Sequence, residues 1–264
     1  MNNYPSASGP STEQPAPSPQ AVRVAMPESA PYVTYSIIGV TVLVFVLQLL
    51  SIAVFGRSSG GIDILQAYGA LNASAVRGGE VWRLITPVLL HDNSFYLHIL
   101  FNMYALLSFG TGLERHFGHG RFLLLYLLGG FSGYVMSFLF SSGFTYSVGA
   151  STAVFGLIGA EGVFLYQNRK LFAGQFRRAI GNIIFIAAIN LFVIGSLPYI
   201  DNWGHIGGLI GGLMFTSLAG PLWEVEGVYP AYQLIDKRPV REVIIGAATL
   251  VLIFGALAMW GMVR

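Results

Sequence analysis

No cysteine occurs among the 264 residues, which excludes disulfides and thiolate chemistry and removes any redox clue to compartment. Charge is scarce as well. Only 10% of residues are charged, where soluble domains carry roughly a quarter, so a soluble globular chain is excluded. The formal net charge of +2 is too small to draw nucleic acid. The five histidines are scattered and form no metal-binding pattern. A secretory signal peptide is not expected either, because no basic flank precedes a short apolar core and the first apolar run is long enough to span a bilayer.

What is abundant is apolar surface: 54% of residues are hydrophobic and the mean hydropathy is +0.65. These values define a polytopic, all-α membrane protein. Seven segments approach the roughly 20 apolar residues that a hydrocarbon core of about 30 Å requires, at 33–55, 95–113, 121–140, 150–167, 180–198, 204–220 and 243–262, the fourth being short. Residues 1–31 concentrate seven prolines, from Pro5 to Pro31, among Ser, Ala and Gln, a composition expected to stay disordered. The division that follows is a tail at 1–31, a core of six helices at 32–220, a connector at 221–242 and one further transmembrane helix at 243–262.

Basic residues orient the chain. With the N-terminus inside, Arg23, Arg115, Arg121, Arg169, Lys170, Arg177, Arg178, Lys237, Arg238 and Arg241 face the cytoplasm, and only Arg57, Arg77, Arg83 and Arg264 lie outside. That asymmetry follows the positive-inside rule. It puts the uncharged 141–149 loop outside and Ser151 just within the outer end of the fourth span, where water can reach it.

Taken alone, Ser151 among Gly149, Ala150, Ala153 and Gly156 reads as close helix packing through small residues. Histidines within spans are costlier and mark function more often. His98 opens the second span, four residues before Asn102, so both project from one helical face. His205 opens the sixth span within "WGHIGGLIGG", whose glycines permit close approach by another helix. Given the orientation, His98, Ser151 and His205 all fall near outer helix ends. Three separate segments thus bring a nucleophile, a base and hydrogen-bond donors to one depth, which packing alone does not require.

These residues resemble the rhomboid family of intramembrane serine proteases from about Val81 to Gly212. The likeness rests on Trp82-Arg83, on His98 and Asn102 as HxxxN, and on Gly110, Glu114 and Gly118 as GxxxExxxG. It continues with Gly149 and Ser151 as GxS and with His205, Gly208 and Gly212 as HxxGxxxG, all in order and each on the appropriate helix. The resemblance implies a six-helix rhomboid-like core, here followed by one C-terminal transmembrane helix. It implies Ser151 as nucleophile and His205 as general base, without a third acidic member. His98, Asn102 and the backbone N–H of Ser151 would stabilise the oxyanion, and Phe155 would pack on the imidazole where tyrosine is common. Thr152 replaces the family's usual glycine and is expected to point away from substrate. No cofactor or metal is implied. The partners implied are transmembrane protein substrates and the lipid bilayer, and no second subunit is needed to complete the site.

Other polar residues receive plainer expectations. Asp201, four before His205, is read as a loop residue and not as a third triad member. His91 is expected to anchor the first outer loop, as is Arg83. His116 and His119 belong to a cytoplasmic turn, which Glu114 and Arg115 help to tie. Gln48 and Asn190 are expected to bond between helices. Glu161, ten positions after Ser151, lies roughly 15 Å deeper, beyond proton-transfer reach. The 180–198 helix and 199–203 loop resemble the family's gate and cap. The functional expectation is an endopeptidase cutting transmembrane helices near their outer ends, by default in a bacterial cytoplasmic membrane. The alternatives are a non-proteolytic rhomboid-like protein that binds client helices and a small transporter with a histidine proton relay. The transporter predicts inverted repeats and charges along a pathway, which the sequence lacks.

Overall fold

In the computed structural model the described residues are 28–58, 61–140, 146–172, 174–197, 200–228 and 230–264. Residues 1–27 of the expected tail, 141–145 of the expected outer loop and Tyr199 of the expected cap lie outside them. The first long helix, α1 (Tyr32–Phe55), contains no charged residue and stops at Gly56. Between it and the next span lie two short helices, α2 (Ile64–Gly69) and α3 (Ala73–Arg77), capped by Asp63 and Asn72, then 3₁₀ turns at Val81–Leu84 and Thr86–Leu89. This is a structured loop. Arg83 pins it by donating to the carbonyls of Ala70 and Ala67, each at 2.7 Å, and to Glu80. Gln48 of α1 pins it a second time, donating to Asp63 (2.8 Å) and the His91 carbonyl (3.0 Å) and accepting from the His91 N–H.

The second expected span is α4 (Leu97–Ala105), a π-turn at Leu106–Gly110 and α5 (Thr111–Phe117) in one continuous run. Its end explains the GxxxExxxG spacing. A Cβ on Gly110 would meet Thr34 at 3.0 Å and Phe122 at 3.2 Å, so glycine lets α1 and α6 (His119–Phe140) approach. Gly118 turns the chain between α5 and α6 at φ 75°. Buried Glu114 accepts from the backbone N–H groups of Val33 (2.8 Å) and Thr34 (2.7 Å), from the Thr34 hydroxyl, and contacts His119. It thereby satisfies the orphan donors at the start of α1. Nearby, Ser29 donates to the Arg115 carbonyl at 3.0 Å, so the inner end of the expected tail is tied to α5.

Burial raises the pKa of Glu114, but hydrogen bonds from Thr34, Val33 and His119 outweigh it and hold the carboxyl below its ordinary 4.5. A carboxylate so depressed stabilises the fold above its unfolded pKa, and the contribution is lost as pH falls through the folded value. Glu114→Gln is therefore expected to destabilise the protein by about 1.5–3 kcal/mol at neutral pH, the range for hydrogen bonds to a charged group. The deficit should shrink below pH 4.5 in thermal unfolding followed in detergent.

The core is built from three helices. α6, α7 (Ser151–Gln167) and α9 (Asn202–Ala219) each pack against the other two. Glycines make the α7–α9 contact backbone-close: Cβ atoms on Gly208 and Gly212 would fall 1.9 Å from the carbonyl oxygens of Thr152 and Gly156. Thr152 itself is buried against Gly133 of α6 and Gly204 of α9. α10 (Val240–Val263) packs on α6 and α9, with Gly246 against Ala219 and Gly261 against Phe138. By contrast α8 (Phe176–Ala188), continued through a π-turn to Val193 and a 3₁₀ turn to Ser196, has no buried residue among those described.

Among the described residues four helices are long and apolar enough to cross a membrane: Tyr32–Phe55, His119–Phe140, Phe176–Ser196 and Val240–Val263. The chain is an integral membrane protein. The other three expected spans are helical but shorter or interrupted, α7 having 17 residues and α9 having 18. The all-α expectation needs one correction, in the 221–242 connector. There β1 (Trp223–Glu226) pairs antiparallel with β2 (Gln233–Asp236), Trp223 opposite Asp236. Apolar and polar residues alternate in β1, Gly227 turns at φ 109°, and Arg121 of α6 holds the hairpin through Asp236 and the Arg238 carbonyl.

Candidate active site

Ser151 stands at the first position of α7, where backbone N–H groups have no intrahelical acceptor and the helix dipole favours negative charge. The four residues before it are held from several directions. Ser147 pairs with Leu71 in a two-bond bridge, the Gly149 N–H donates to the Pro87 carbonyl (3.0 Å), and the Tyr134 hydroxyl donates to the Gly149 carbonyl (2.6 Å). The Ala150 N–H points at His91 Nε2, 3.4 Å away. Gly149 adopts φ 132°, and a Cβ there would lie 2.9 Å from His98 Nε2 and 3.7 Å from Ser151 Oγ. Only glycine fits both the backbone angle and that space.

His205 arrives from the first turn of α9. Its Nε2 lies 3.0 Å from Ser151 Oγ, and Phe155 stacks on its ring at 4.2 Å between centroids and 14° between planes. Its Nδ1 is buried with no hydrogen-bond partner among the described residues. Asp201 does not reach it. That carboxylate caps α9 through the Gly204 N–H (2.9 Å) and accepts from the hydroxyls of Ser147 and Ser137. Asp201 therefore fastens the α9 end to the segment leading into Ser151, a use its loop position in the sequence does not disclose.

His98 Nδ1 accepts from the Asp92 N–H at 3.3 Å, which leaves the ring proton on Nε2, the nitrogen beside Gly149. His91 packs against the same ring at 5.2 Å. Burial, and then the neighbouring His98, push the His91 pKa down to about 3, so it stays neutral and can accept from Ala150. Asn102 is buried and donates its amide to the His98 carbonyl at 2.9 Å, one turn back on its own helix. Only its second amide hydrogen is therefore left to face the site.

The sequence signals missed Tyr134, His91 as a contact of Ala150, and the Ser137–Ser147–Asp201 cluster. None has a spacing motif, since each acts on backbone or on a residue far along the chain. Asn190 departs from its expectation by bonding to Ile186 of its own helix, at 2.8 Å. Glu161 is half-buried on α7 with no hydrogen bond or ion pair among the described residues.

A helical membrane protein with a serine hydroxyl and an imidazole in hydrogen-bond contact inside its bundle belongs to a narrow class. A family model described as "Rhomboid domain" matches residues 78–221, and the chain belongs to the rhomboid family. It is 44% identical over 191 residues to "Rhomboid protease GluP" of Bacillus subtilis (strain 168), covering 72% of this chain and 35% of that protein. It is 44% identical over 160 residues to "RHOMBOID-like protein 1" of Arabidopsis thaliana (60% of this chain, 40% of the relative). The Arabidopsis "RHOMBOID-like protein 6, mitochondrial" is 38% identical over 199 residues (72% and 63%). The chain thus spans between about a third and two thirds of the length of these relatives.

Proposed function

We propose that this chain is an intramembrane serine endopeptidase with a Ser151–His205 dyad, working in a six-helix core to which α10 adds a seventh span. The observation that carries the reading is the 3.0 Å contact between Ser151 Oγ and His205 Nε2 under the Phe155 ring. A serine hydroxyl is a weak nucleophile until a bonded base removes its proton. Nε2 takes that proton as Oγ attacks the scissile carbonyl. The oxyanion forms beside the Ser151 N–H at the start of α7, the His98 Nε2–H and the Asn102 amide, each donor of this kind contributing on the order of 10²–10³ in rate. The imidazolium then protonates the leaving amine as the C–N bond breaks, and a water, activated by the same ring, hydrolyses the acyl-enzyme. Phe155 keeps the ring in plane by stacking and cannot hydrogen-bond it.

In this reading the basic loops face the cytoplasm and the site opens outward, so the scissile bond lies near the outer end of a substrate transmembrane helix. A helical substrate hides its carbonyls in internal hydrogen bonds, which favours substrates with helix-breaking Gly or Pro near the cut.

The test uses protein reconstituted in liposomes with a single-span substrate and, separately, a fluorophosphonate probe. Wild type is expected to cut near the outer boundary and to be labelled, and Ser151→Ala to lose both. Equal cleavage by Ser151→Ala would remove the nucleophile assignment. Absence of labelling and of cleavage across a substrate panel would favour client binding.

A further inference from the structure

A groove of about 610 Å³ runs between α7, α8 and α9, bordered by Tyr166, Gln167, Ile180, Ala187, Leu213 and Ser217. It runs along α7 from Ile158 to Gln167 and along α9 from Leu209 to Ser217, and neither Ser151 nor His205 lines it. Its walls are apolar, yet inside a bilayer lipid tails are as apolar as leucine. Apolar lining alone therefore selects nothing, and selectivity has to come from the polar end of the groove.

That end is cationic. Arg169 lays its guanidinium 4.9 Å over the Tyr166 ring and donates to the Tyr166 carbonyl at 3.0 Å, which holds it at the rim. Arg177 lies three residues before Ile180 and seven before Ile184, on the α8 face that lines the groove. No Asp or Glu occurs between Glu161 and Asp201, and the ion pairs among the described residues involve neither arginine. Gln167 adds an acceptor: its Nε2 donates to the Ser217 carbonyl at 3.2 Å, which sets the amide orientation, and its Oε1 is buried without a donor. Two unpaired cations and one unfilled acceptor, above an apolar slot, match a phosphodiester with a hydroxyl-bearing headgroup and an acyl chain.

We propose that this groove is a site for one anionic phospholipid with a hydroxyl-bearing headgroup. The acyl chain lies between α7, α8 and α9, the phosphate between Arg169 and Arg177, and the headgroup hydroxyl donates to Gln167 Oε1. Bound there, the lipid supplies α8 with the packing its own residues lack and clamps that helix to the core. The proposal does not rest on the proteolytic reading, because its readout is retained lipid.

The test is native mass spectrometry of the full chain released from vesicles of equal phosphatidylglycerol and phosphatidylcholine. Wild type is expected to retain one phosphatidylglycerol in preference to phosphatidylcholine. Each of Arg169→Gln and Arg177→Gln should lower that retention about fivefold. Arg178→Gln removes the same charge from a different face of α8 and should change retention by less than twofold. Ala187→Trp, which fills the slot without touching a charge, should abolish it. Thermal unfolding in detergent reports separately whether each variant is folded. Equal retention of the two lipids, or an Arg178→Gln loss as large as that of Arg177→Gln, would mean diffuse surface attraction and overturn the site. So would a photocrosslinker at Ile184 that captures a co-reconstituted single-span helix in place of lipid.

Discussion

His205→Ala is expected to lower cleavage by on the order of 10²–10⁴-fold, the range for a positioned general acid–base group, with the melting temperature little changed. Beyond its single contact with Ser151 Oγ the imidazole makes no side-chain hydrogen bond, since its Nδ1 has no partner among the described residues. In the proposed dyad the two members act as a unit, so the Ser151→Ala/His205→Ala double variant should be no slower than the worse single one. Asp201→Asn provides the contrast. A third triad member would cost about 10⁴ in turnover, whereas Asp201 bonds the Gly204 N–H and the hydroxyls of Ser147 and Ser137. Asn keeps an acceptor for the cap, so the expected outcome is a lower unfolding midpoint with a turnover loss of less than about tenfold. Single-turnover cleavage in liposomes, set beside thermal unfolding, separates the two cases. Additive losses in the double variant would mean that serine and histidine work independently and would falsify the dyad.

Much of the helical layout was legible because membrane helices declare themselves by long apolar runs. Each of the seven expected segments overlaps a helix, from Tyr32–Phe55 to Val240–Val263. What the runs did not disclose is everything that satisfies backbone groups by other means. The 57–94 stretch reads as a loop, yet α2, α3 and two 3₁₀ turns fill it, held by Arg83 and Gln48 through carbonyls that no sequence pattern marks. The π-turns at Leu106–Gly110 and Ile189–Val193 leave the apolar periodicity almost unchanged, so they too escape a reading by hydropathy. The 223–236 hairpin is too short and too polar to stand out beside helices of 17 to 24 residues.

At the candidate site the glycines carried the information. A serine flanked by small residues and a histidine flanked by glycines imply two helices that touch, and α7 and α9 do touch, with Ser151 and His205 at their first turns. The direction in which Asn102 spends its amide was not legible, because a side chain four residues from His98 can either face the site or bond back to the carbonyl one turn earlier. Nor was the tautomer of His98, which depends on the Asp92 N–H from the loop.

Gly208→Val and Gly212→Val are expected to have the largest structural effects in the chain. A Cβ on Gly208 would stand 1.9 Å from the Thr152 carbonyl oxygen and 2.9 Å from its carbon, and one on Gly212 would stand 1.9 Å from the Gly156 oxygen. These obstacles are backbone atoms of α7, which is itself pressed on α6, where a Cβ on Gly156 would stand 3.0 Å from Gly129 Cα. Nothing can yield by rotating a side chain. Relief requires α9 to move off α7, which separates His205 from Ser151 and opens the packing of Thr152. Overpacking ordinarily costs about 1–3 kcal/mol, and here two rigid helices have to part, so a loss above about 4 kcal/mol is expected. Valine at Gly112, Gly181 or Gly255, where a Cβ would meet nothing within 4 Å, should by comparison cost under about 1 kcal/mol. Thermal unfolding in detergent and fluorophosphonate labelling of Ser151 check both sides of the comparison. The Gly208 and Gly212 variants should lose the folded signal and the label together, because the same contact that packs α9 on α7 sets the distance from His205 to Ser151. A Gly212→Val protein that melts normally yet is not labelled would show instead that the helices can slide without parting.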